Sequence, residues 1–252
     1  MIAPACPAPG AGTARQPDPQ PTNGPTGVVD AVAAGALVAC VALIATLGRR
    51  LSVSIDTGGD HAVVLSAAVA GVLACDLVAG VVHWACDRFF AETTPLLGPA
   101  LIASFREHHR DPLAMTRRGF LDVNGANYFA VLPFLAYAAW CDVPGGGDAR
   151  ELFGPTFLLA LASAAIVTNQ FHKWAHAPDV PVIVWCLQRV HLILPPEVHA
   201  RHHHGAHRTG YCVTGGWLNP LLDRFDFFGR LERAIRACAR VTAPDDRERQ
   251  SS

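Results

Sequence analysis

Apolar residues fall along this chain in long blocks separated by polar, proline-rich or histidine-rich stretches, the pattern of buried or lipid-facing helices rather than of alternating strands. The first block runs from Val28 to Leu47, and twenty helical residues at about 1.5 Å each reach across a hydrocarbon core of about 30 Å. A second, Ala62 to Trp84, holds one interior acid, Asp76, which is costly against lipid and so is expected to face the interior of a bundle. A third, Tyr128 to Trp140, is short and contains Pro133, and a fourth runs from Leu152 to Val167. The stretch from Pro181 to Leu194 is apolar but carries Gln188, Arg189 and His191, and its 14 residues are too few to span, so it should lie in the interface plane or re-enter. Beyond Gly215, Gly216 and Pro220, residues 225–238 have amphipathic helical spacing, which suits a helix on the membrane surface and an ordinary packed helix equally. The pattern predicts an all-α integral membrane bundle of about four transmembrane helices, a single domain over residues 28–240. A disordered Pro/Gly-rich tail at 1–27 and a disordered C-terminal tail at 241–252 flank it.

Composition supports the membrane reading. With 51% hydrophobic and 16% charged residues and a mean hydropathy of +0.26, the chain lacks the polar surface of an ordinary soluble domain. Lys and Arg number 20 against 21 Asp and Glu, which excludes the cationic surplus of a general nucleic-acid binder. The eight cysteines form no C-x-x-C pair and several sit in apolar runs, so they read as small buried hydrophobes rather than a disulfide framework. No charged segment precedes an early apolar run, so no secretory signal is expected. Trp84, Trp174, Trp185 and Trp217 read as anchors at the membrane interface. With four spans, 17 of the 20 basic residues share the side that holds both tails and the 85–127 connection, and only Arg49, Arg50 and Arg150 face the other. Basic residues favour the cytoplasm, so that side is expected to be cytoplasmic; the Ala-, Arg- and Gly-rich composition suggests a GC-rich bacterial genome, and the expected location is a bacterial inner membrane.

Every histidine except His61 then lies on that side or at its boundary. Of twelve histidines, eight fall between His172 and His207. They form four groups: His83 with Asp87 four residues on; His108 and His109 beside Glu107 and Asp111; His172 with His176; and His199, His202 and His203, followed by His204 and His207. Pairs three or four apart on a helix aim two imidazoles at one ion, and imidazole suits iron, zinc, copper or nickel. The H-E-x-x-H signature of a metalloprotease is missing, because Lys173, Trp174 and Ala175 separate His172 from His176. A two-histidine, one-carboxylate iron site would leave at least five histidines idle, whereas two irons in a mostly histidine shell account for the count. His61 and His204 read as non-ligands, and the triple run at 202–204 could alone be an adventitious metal or pH-sensing patch. Asp87 reads as a carboxylate that orients a ligand imidazole, with a pairing to Arg88 or Arg106 as the alternative.

The stretches HWACDRF, FREHHRDP, MTRRGFLDVNGAN, TNQFHKWAHAPDVP and HLILPPEVHARHHHGAHRTGYCVTGGWLNP resemble the plasmanylethanolamine desaturase family and the related plant plastid lipid desaturases, over roughly residues 65–235. The resemblance implies a four-span membrane desaturase with a histidine-bound di-iron centre. Such an enzyme uses O2 and two electrons to remove two hydrogens from C1 and C2 of the alkyl chain of a 1-O-alkyl glycerophospholipid, converting plasmanylethanolamine to plasmenylethanolamine in plasmalogen biosynthesis. Carried over, His172 and His176 match the first histidine box and His199, His202 and His203 the second, while His83, His108 and His109 match the remaining metal histidines. Asp87, Asp111, Asn169, His191 and His207 lie in matching stretches as supporting residues or additional ligands. The chain departs from the family at His204, where the animal sequences have an aliphatic residue, and in its Pro/Gly-rich tail. The implied partners are an ether phospholipid and an electron-donor protein of cytochrome b5 or ferredoxin type. Lys173, Arg201 and Arg208 are candidates for the basic rim that would receive the donor. Two alternatives stand: an acyl-chain phospholipid desaturase, and a membrane metal-binding protein without redox turnover. The second conflicts with histidines gathered at one face rather than at the bilayer midplane.

Overall fold

The computed structural model describes residues 27–55, 58–140, 149–204 and 207–239, and among the described residues the chain is helical with no strand. The expected tails lie almost wholly outside these residues. Two long helices come first, α1 (Gly27–Ser52) and α2 (Gly58–Arg88). A π-helical turn at Gly98–Ile102 leads into the short α3 (Ala103–Arg110) and α4 (Ala114–Arg117), followed by α5 (Phe120–Trp140). A 3-10 turn, Ala149–Leu152, opens α6 (Phe153–His176), and four short helices close the fold: α7 (Val182–Arg189), α8 (Pro196–His203), α9 (Asn219–Arg224) and α10 (Phe227–Ala239).

Three of these helices, α1, α2 and α6, are long and apolar enough to cross a membrane. Val28, Val32, Val38 and Val41 on α1 point outward, an apolar face that lipid would cover. The third apolar run is the second half of a longer helix. α5 starts at Phe120, and its 21 residues reach about 30 Å. Hydropathy hid its first half because the polar side chains there point into the bundle. The Asn124 side chain donates to the Phe120 carbonyl (2.9 Å), Asn127 Nδ2 donates to the Ala165 carbonyl (2.7 Å), and Asn169 Nδ2 donates to the Val123 carbonyl (2.9 Å). Pro133, which has no N–H to donate, sits on the exposed side.

α5 runs the length of the bundle. At one end Ala138 packs with Leu47, Leu51 and Leu152, and Arg50 Nη1 donates to the Ala139 carbonyl at 2.6 Å. Its middle meets α1 and α6 through Tyr128, Val131 and Leu135 against Ala36, Cys40, Ala162 and Ile166. α2 and α6 approach closely where Gly71 leaves room: a Cβ added there would stand 2.4 Å from the Phe157 carbonyl oxygen. α2 has 31 residues and α6 has 24, more than a hydrocarbon core requires, so the last turns of both project from the same end and carry His83, Asp87, His172 and His176.

Asp76 is fully buried. Its Oδ1 accepts the backbone N–H groups of Thr214 (3.1 Å), Gly215 (3.0 Å) and Gly216 (3.1 Å), and Oδ2 accepts that of Leu218 (3.2 Å). The acid buried in the bundle is therefore the hook for a loop that folds back onto α2. Gly216 turns that loop at φ +71°, and the loop lies against Gly80, where a Cβ would meet Cys212 Sγ at 2.7 Å.

Trp84 differs from the anchor expected of it. It is buried with Tyr211 and Phe228, whereas Trp185 is exposed. Phe228 belongs to α10, whose Glu232 also receives a two-pronged bond from Arg88 (2.8 and 2.9 Å), so this helix packs on the end of α2 by one face. Only residues 182–189 of the short apolar segment are helical, with Val182, Ile183 and Trp185 exposed and Val184 and Gln188 buried. Of the six described cysteines, all free, Cys40, Cys75, Cys86 and Cys212 are buried as expected and Cys186 and Cys238 are exposed.

Candidate metal centre

Eight histidines from α2, α3, α6 and α8 converge at the projecting end of the bundle. The ligand nitrogens of His108, His172, His176, His199 and His203 all lie within 4.8 Å of one another, and so do those of His83, His108, His109 and His202. His108 belongs to both groups, so the two adjoin. The spacing of the sequence explains the first. His172 and His176 stack one turn apart at the end of α6, and His199 and His203 do the same on α8, which packs across it. Nε2 of His199 stands 2.9 Å from Nε2 of both His172 and His176 and 3.0 Å from that of His203. Nitrogens bound about 2.0–2.1 Å from a single ion lie about 3 Å apart, which matches this packing.

In the second group Nε2 of His109 is 3.5 Å from that of His83 and 3.1 Å from that of His202. Asp87 completes it: its Oδ2 lies 3.5, 3.7 and 3.6 Å from Nε2 of His83, His109 and His202. The two arginines that could have claimed this carboxylate point elsewhere, Arg88 to Glu232 and Arg106 to the Phe90 carbonyl. Both Asp87 oxygens and His108 Nε2 are buried without a hydrogen-bond partner. Buried polar atoms left without a partner are costly unless a cation satisfies them.

Backbone carbonyls set the tautomers. His83 Nδ1 donates to the Tyr211 carbonyl (3.2 Å) and His202 Nδ1 to the Thr209 carbonyl (2.7 Å), which leaves each Nε2 with a bare lone pair facing the group. Both carbonyls lie in or next to the loop held by Asp76. Burial keeps the rings neutral: the pKa of His202 falls to about 4 and that of His203 to about 3, and burial also pushes His108, His109 and His199 well below the ordinary value. Neutral imidazole is the form that binds metal.

A cleft reaches this centre. His108 and His172 lie on its wall, with Leu101, Phe105, Met115 and Val123 supplying apolar lining and Arg118, Asp122 and Ser104 polar lining.

The other candidates sit around the centre or away from it. Asn169 lines the cleft and bonds to α5, and His207 stacks flat on His109 (centroids 4.3 Å, 16°). His191 is exposed, and its carbonyl accepts from Trp217 Nε1 (2.6 Å). Asp111 pairs with Arg117 and accepts the Leu113 N–H, which closes a turn outside both groups. His204 follows the last turn of α8, is exposed, and bonds back to the Ala200 carbonyl. Sequence reasoning did not anticipate the orienting carbonyls of Thr209 and Tyr211, since a carbonyl has no residue signature. It also passed over Arg118 and Ser104, which carry no metal-ligating group.

Residues 72–246 match the lipid desaturase domain family. The chain is 40% identical over 225 residues to a plasmanylethanolamine desaturase of Myxococcus xanthus, an alignment that covers 88% of this chain and 77% of that one. It is 39% identical over 176 residues to plasmanylethanolamine desaturase 1 of Mus musculus, covering 69% of this chain and 65% of the relative. It is 31% identical over 192 residues to the chloroplastic fatty acid desaturase 4 of Arabidopsis thaliana, covering 74% and 57%. The chain thus spans less than two thirds of the mouse and Arabidopsis relatives' length. No solved structure matches.

Proposed function

The chain belongs to the lipid desaturase family, and from that premise we propose that it is a membrane di-iron enzyme forming the vinyl-ether double bond of a 1-O-alkyl glycerophospholipid, with O2 and two electrons as co-reactants. One observation carries the reading: eight imidazoles and one carboxylate form two adjoining donor groups at the end of a bundle of apolar helices. The donor set fits iron, being all imidazole and carboxylate, with no described cysteine in either group. His172, His176, His199 and His203 would hold one ion. His83, His109, His202 and Asp87 would hold the other, with His108 between them.

Bound iron supplies the oxidant that an unactivated C–H bond requires and that side-chain acids and bases lack. The protein's part is to position and to exclude. The Tyr211 and Thr209 carbonyls fix two rings, burial keeps the imidazoles unprotonated, and the apolar part of the cleft wall, Leu101, Phe105 and Met115, would keep water from the carbons being oxidised. The similarity to two plasmanylethanolamine desaturases at 39–40% identity, above the 31% to the plastid enzyme, favours the ether chain over an acyl chain.

In this reading α5 is the fourth span, and the histidine end faces the cytoplasm of a bacterial inner membrane. An acidic one-electron carrier of cytochrome b5 or ferredoxin type docks there on exposed Arg201 and Arg208. Lys173 turns inward to the Arg118 carbonyl and drops out of that rim. The test is expression in a host without plasmalogens, fed an alkylglycerol in air. Acid-labile vinyl-ether phospholipid should accumulate with the intact chain and not with His203→Ala. Folded, iron-loaded protein that makes no vinyl ether with a competent electron donor would move the assignment to acyl chains.

A further inference from the structure

We propose that Arg118 binds the phosphodiester of the lipid substrate and so sets which carbons reach the histidines; the proposal rests on the ether-phospholipid reading above. Arg118 is the cation among the residues lining the cleft that holds His108 and His172. It stands between α4 and α5, half-buried, and its guanidinium is fixed from two sides. Nε and Nη2 donate to the two oxygens of Asp122 (both 2.7 Å), and Nη1 donates to Ser104 Oγ (2.7 Å). A guanidinium carries five N–H donors in a rigid fork, so two remain for a ligand.

Its distance from the centre follows from α3. Ser104 and His108 are one turn apart on one face, with Cβ atoms about 5–6 Å apart. The head of Arg118, in contact with Ser104, therefore lies about one helical turn from a donor shared by both metal groups. Lys173, adjacent in sequence to His172, donates to the Arg118 carbonyl and adds a second positive charge. Asp122 and Glu107 offset the two cations, so the phosphate would be held by the two remaining N–H donors of the fork rather than by a net positive field.

The substrate's covalent structure demands a group at this place. In a 1-O-alkyl glycerophospholipid six bonds separate alkyl C1 from phosphorus, and at about 1.5 Å per single bond the extended reach is about 8 Å. An enzyme that oxidises C1 and C2 must therefore hold the phosphate within about that distance of the carbons it presents to its metals. A chain oxidised far from its headgroup would impose no such condition. Arg118 meets it, while Leu101, Phe105 and Met115 line the same cleft for the hydrocarbon.

The experiment is equilibrium binding to the purified, iron-loaded full chain in detergent, with two fluorescent probes: a 1-O-alkyl-2-acyl-glycerophosphoethanolamine and the phosphate-free 1-O-alkyl-2-acylglycerol. Arg118→Gln should weaken the phospholipid about ten- to hundred-fold, the worth of a charge-assisted hydrogen bond, and change the neutral lipid by less than about twofold. Arg118→Lys, which keeps the charge and loses the fork, should fall between and guards against a misfolded Gln variant. Equal loss for both lipids would reduce Arg118 to a structural residue and overturn the proposal. So would unchanged phospholipid binding, or displacement of the lipid by equimolar inorganic phosphate, which would make this a free-anion site. Vinyl-ether formation is measured in the same preparations. Arg118-dependent binding without vinyl ether would sink the ether reading and leave the phosphate anchor standing.

Discussion

Replacing Asp76 by asparagine removes a charge from the interior of α2 and keeps the side chain's size. The wild-type carboxylate accepts four N–H groups, three at Oδ1 and one at Oδ2. An asparagine carbonyl can face Thr214, Gly215 and Gly216, but its NH2 then meets the Leu218 N–H donor to donor. One bond is lost outright, leaving a partly buried N–H unsatisfied at about 1–3 kcal/mol, and three change from charged to neutral at about 0.5–1.5 kcal/mol each. The sum, about 2.5–7.5 kcal/mol, is a large fraction of the stability of many domains, about 5–15 kcal/mol. Detachment of the loop limits the damage, since residues 210–218 can open without unfolding the long helices. The expected result is a folded variant whose Thr214–Gly216 amides exchange at least about a hundredfold faster with solvent deuterium. Tyr211, which holds His83, is in the same loop, so bound iron should fall as well. An Asp76→Asn protein with unchanged exchange at Thr214–Gly216 and full iron would refute the idea that this carboxylate hangs the loop.

Three further outcomes are expected. Asp87→Asn should keep the fold and lower iron from two toward one per chain, with turnover down about a hundredfold or more, because an amide supplies no charge to the group formed by His83, His109 and His202; unchanged iron by elemental analysis would remove Asp87 from the ligand set. Gly71→Val should lower the melting temperature in detergent, since even its Cβ falls 2.4 Å from the Phe157 carbonyl and overpacking costs about 1–3 kcal/mol, whereas Gly35→Val, with open space around the added Cβ, should not. Stability of the metal-free protein should fall on acidification from about pH 6.5 toward pH 4. Burial lowers the folded pKa of His202 to about 4 and of His203 to about 3, so between those values and 6.5 the unfolded chain binds more protons, and acid favours it. A melting temperature that is flat from pH 7 to pH 5 would contradict this sign.

Much of the centre was legible because its ligands obey helix geometry. His172 with His176 and His199 with His203 are four apart, and a helix turns such pairs to one side whatever surrounds them. The apolar blocks announced α1, α2 and α6 for a similar reason, since a helix in lipid must be apolar over its whole reach. α5 was legible only by half, because Asn124 and Asn127 satisfy their polar groups inside the bundle, and a hydropathy window weighs a bonded asparagine like an exposed one. Asp87 is the more instructive case. Spacing placed it on the face of His83, but only the folded positions of His109 and His202, brought by α3 and α8, separate a carboxylate that steadies one imidazole from one that faces three. The direction of Arg118 was likewise invisible, because it depends on Ser104 and Asp122 from two other helices.

The two donor groups differ in how their positions are secured. The first draws on helix packing alone: the long α6 enters the bundle core with His172 and His176 on its last turns, and the short α8 lays His199 and His203 against them. Its geometry is as stiff as helix packing makes it. The second draws on α2 for His83 and Asp87, but the orientation of His83 depends on the Tyr211 carbonyl, and that carbonyl is held through the loop hooked to Asp76. Residues deep in the bundle thus govern the rotation of a ring at its surface end. His108, common to both groups, ties the two together. Disturbance of the deep hook should therefore empty the group around His83 before that around His199, whereas loss of helix packing, as at Gly71, should empty both at once. The order of iron loss across the Asp76 and Gly71 variants separates a loop-hung site from one made by helix ends alone.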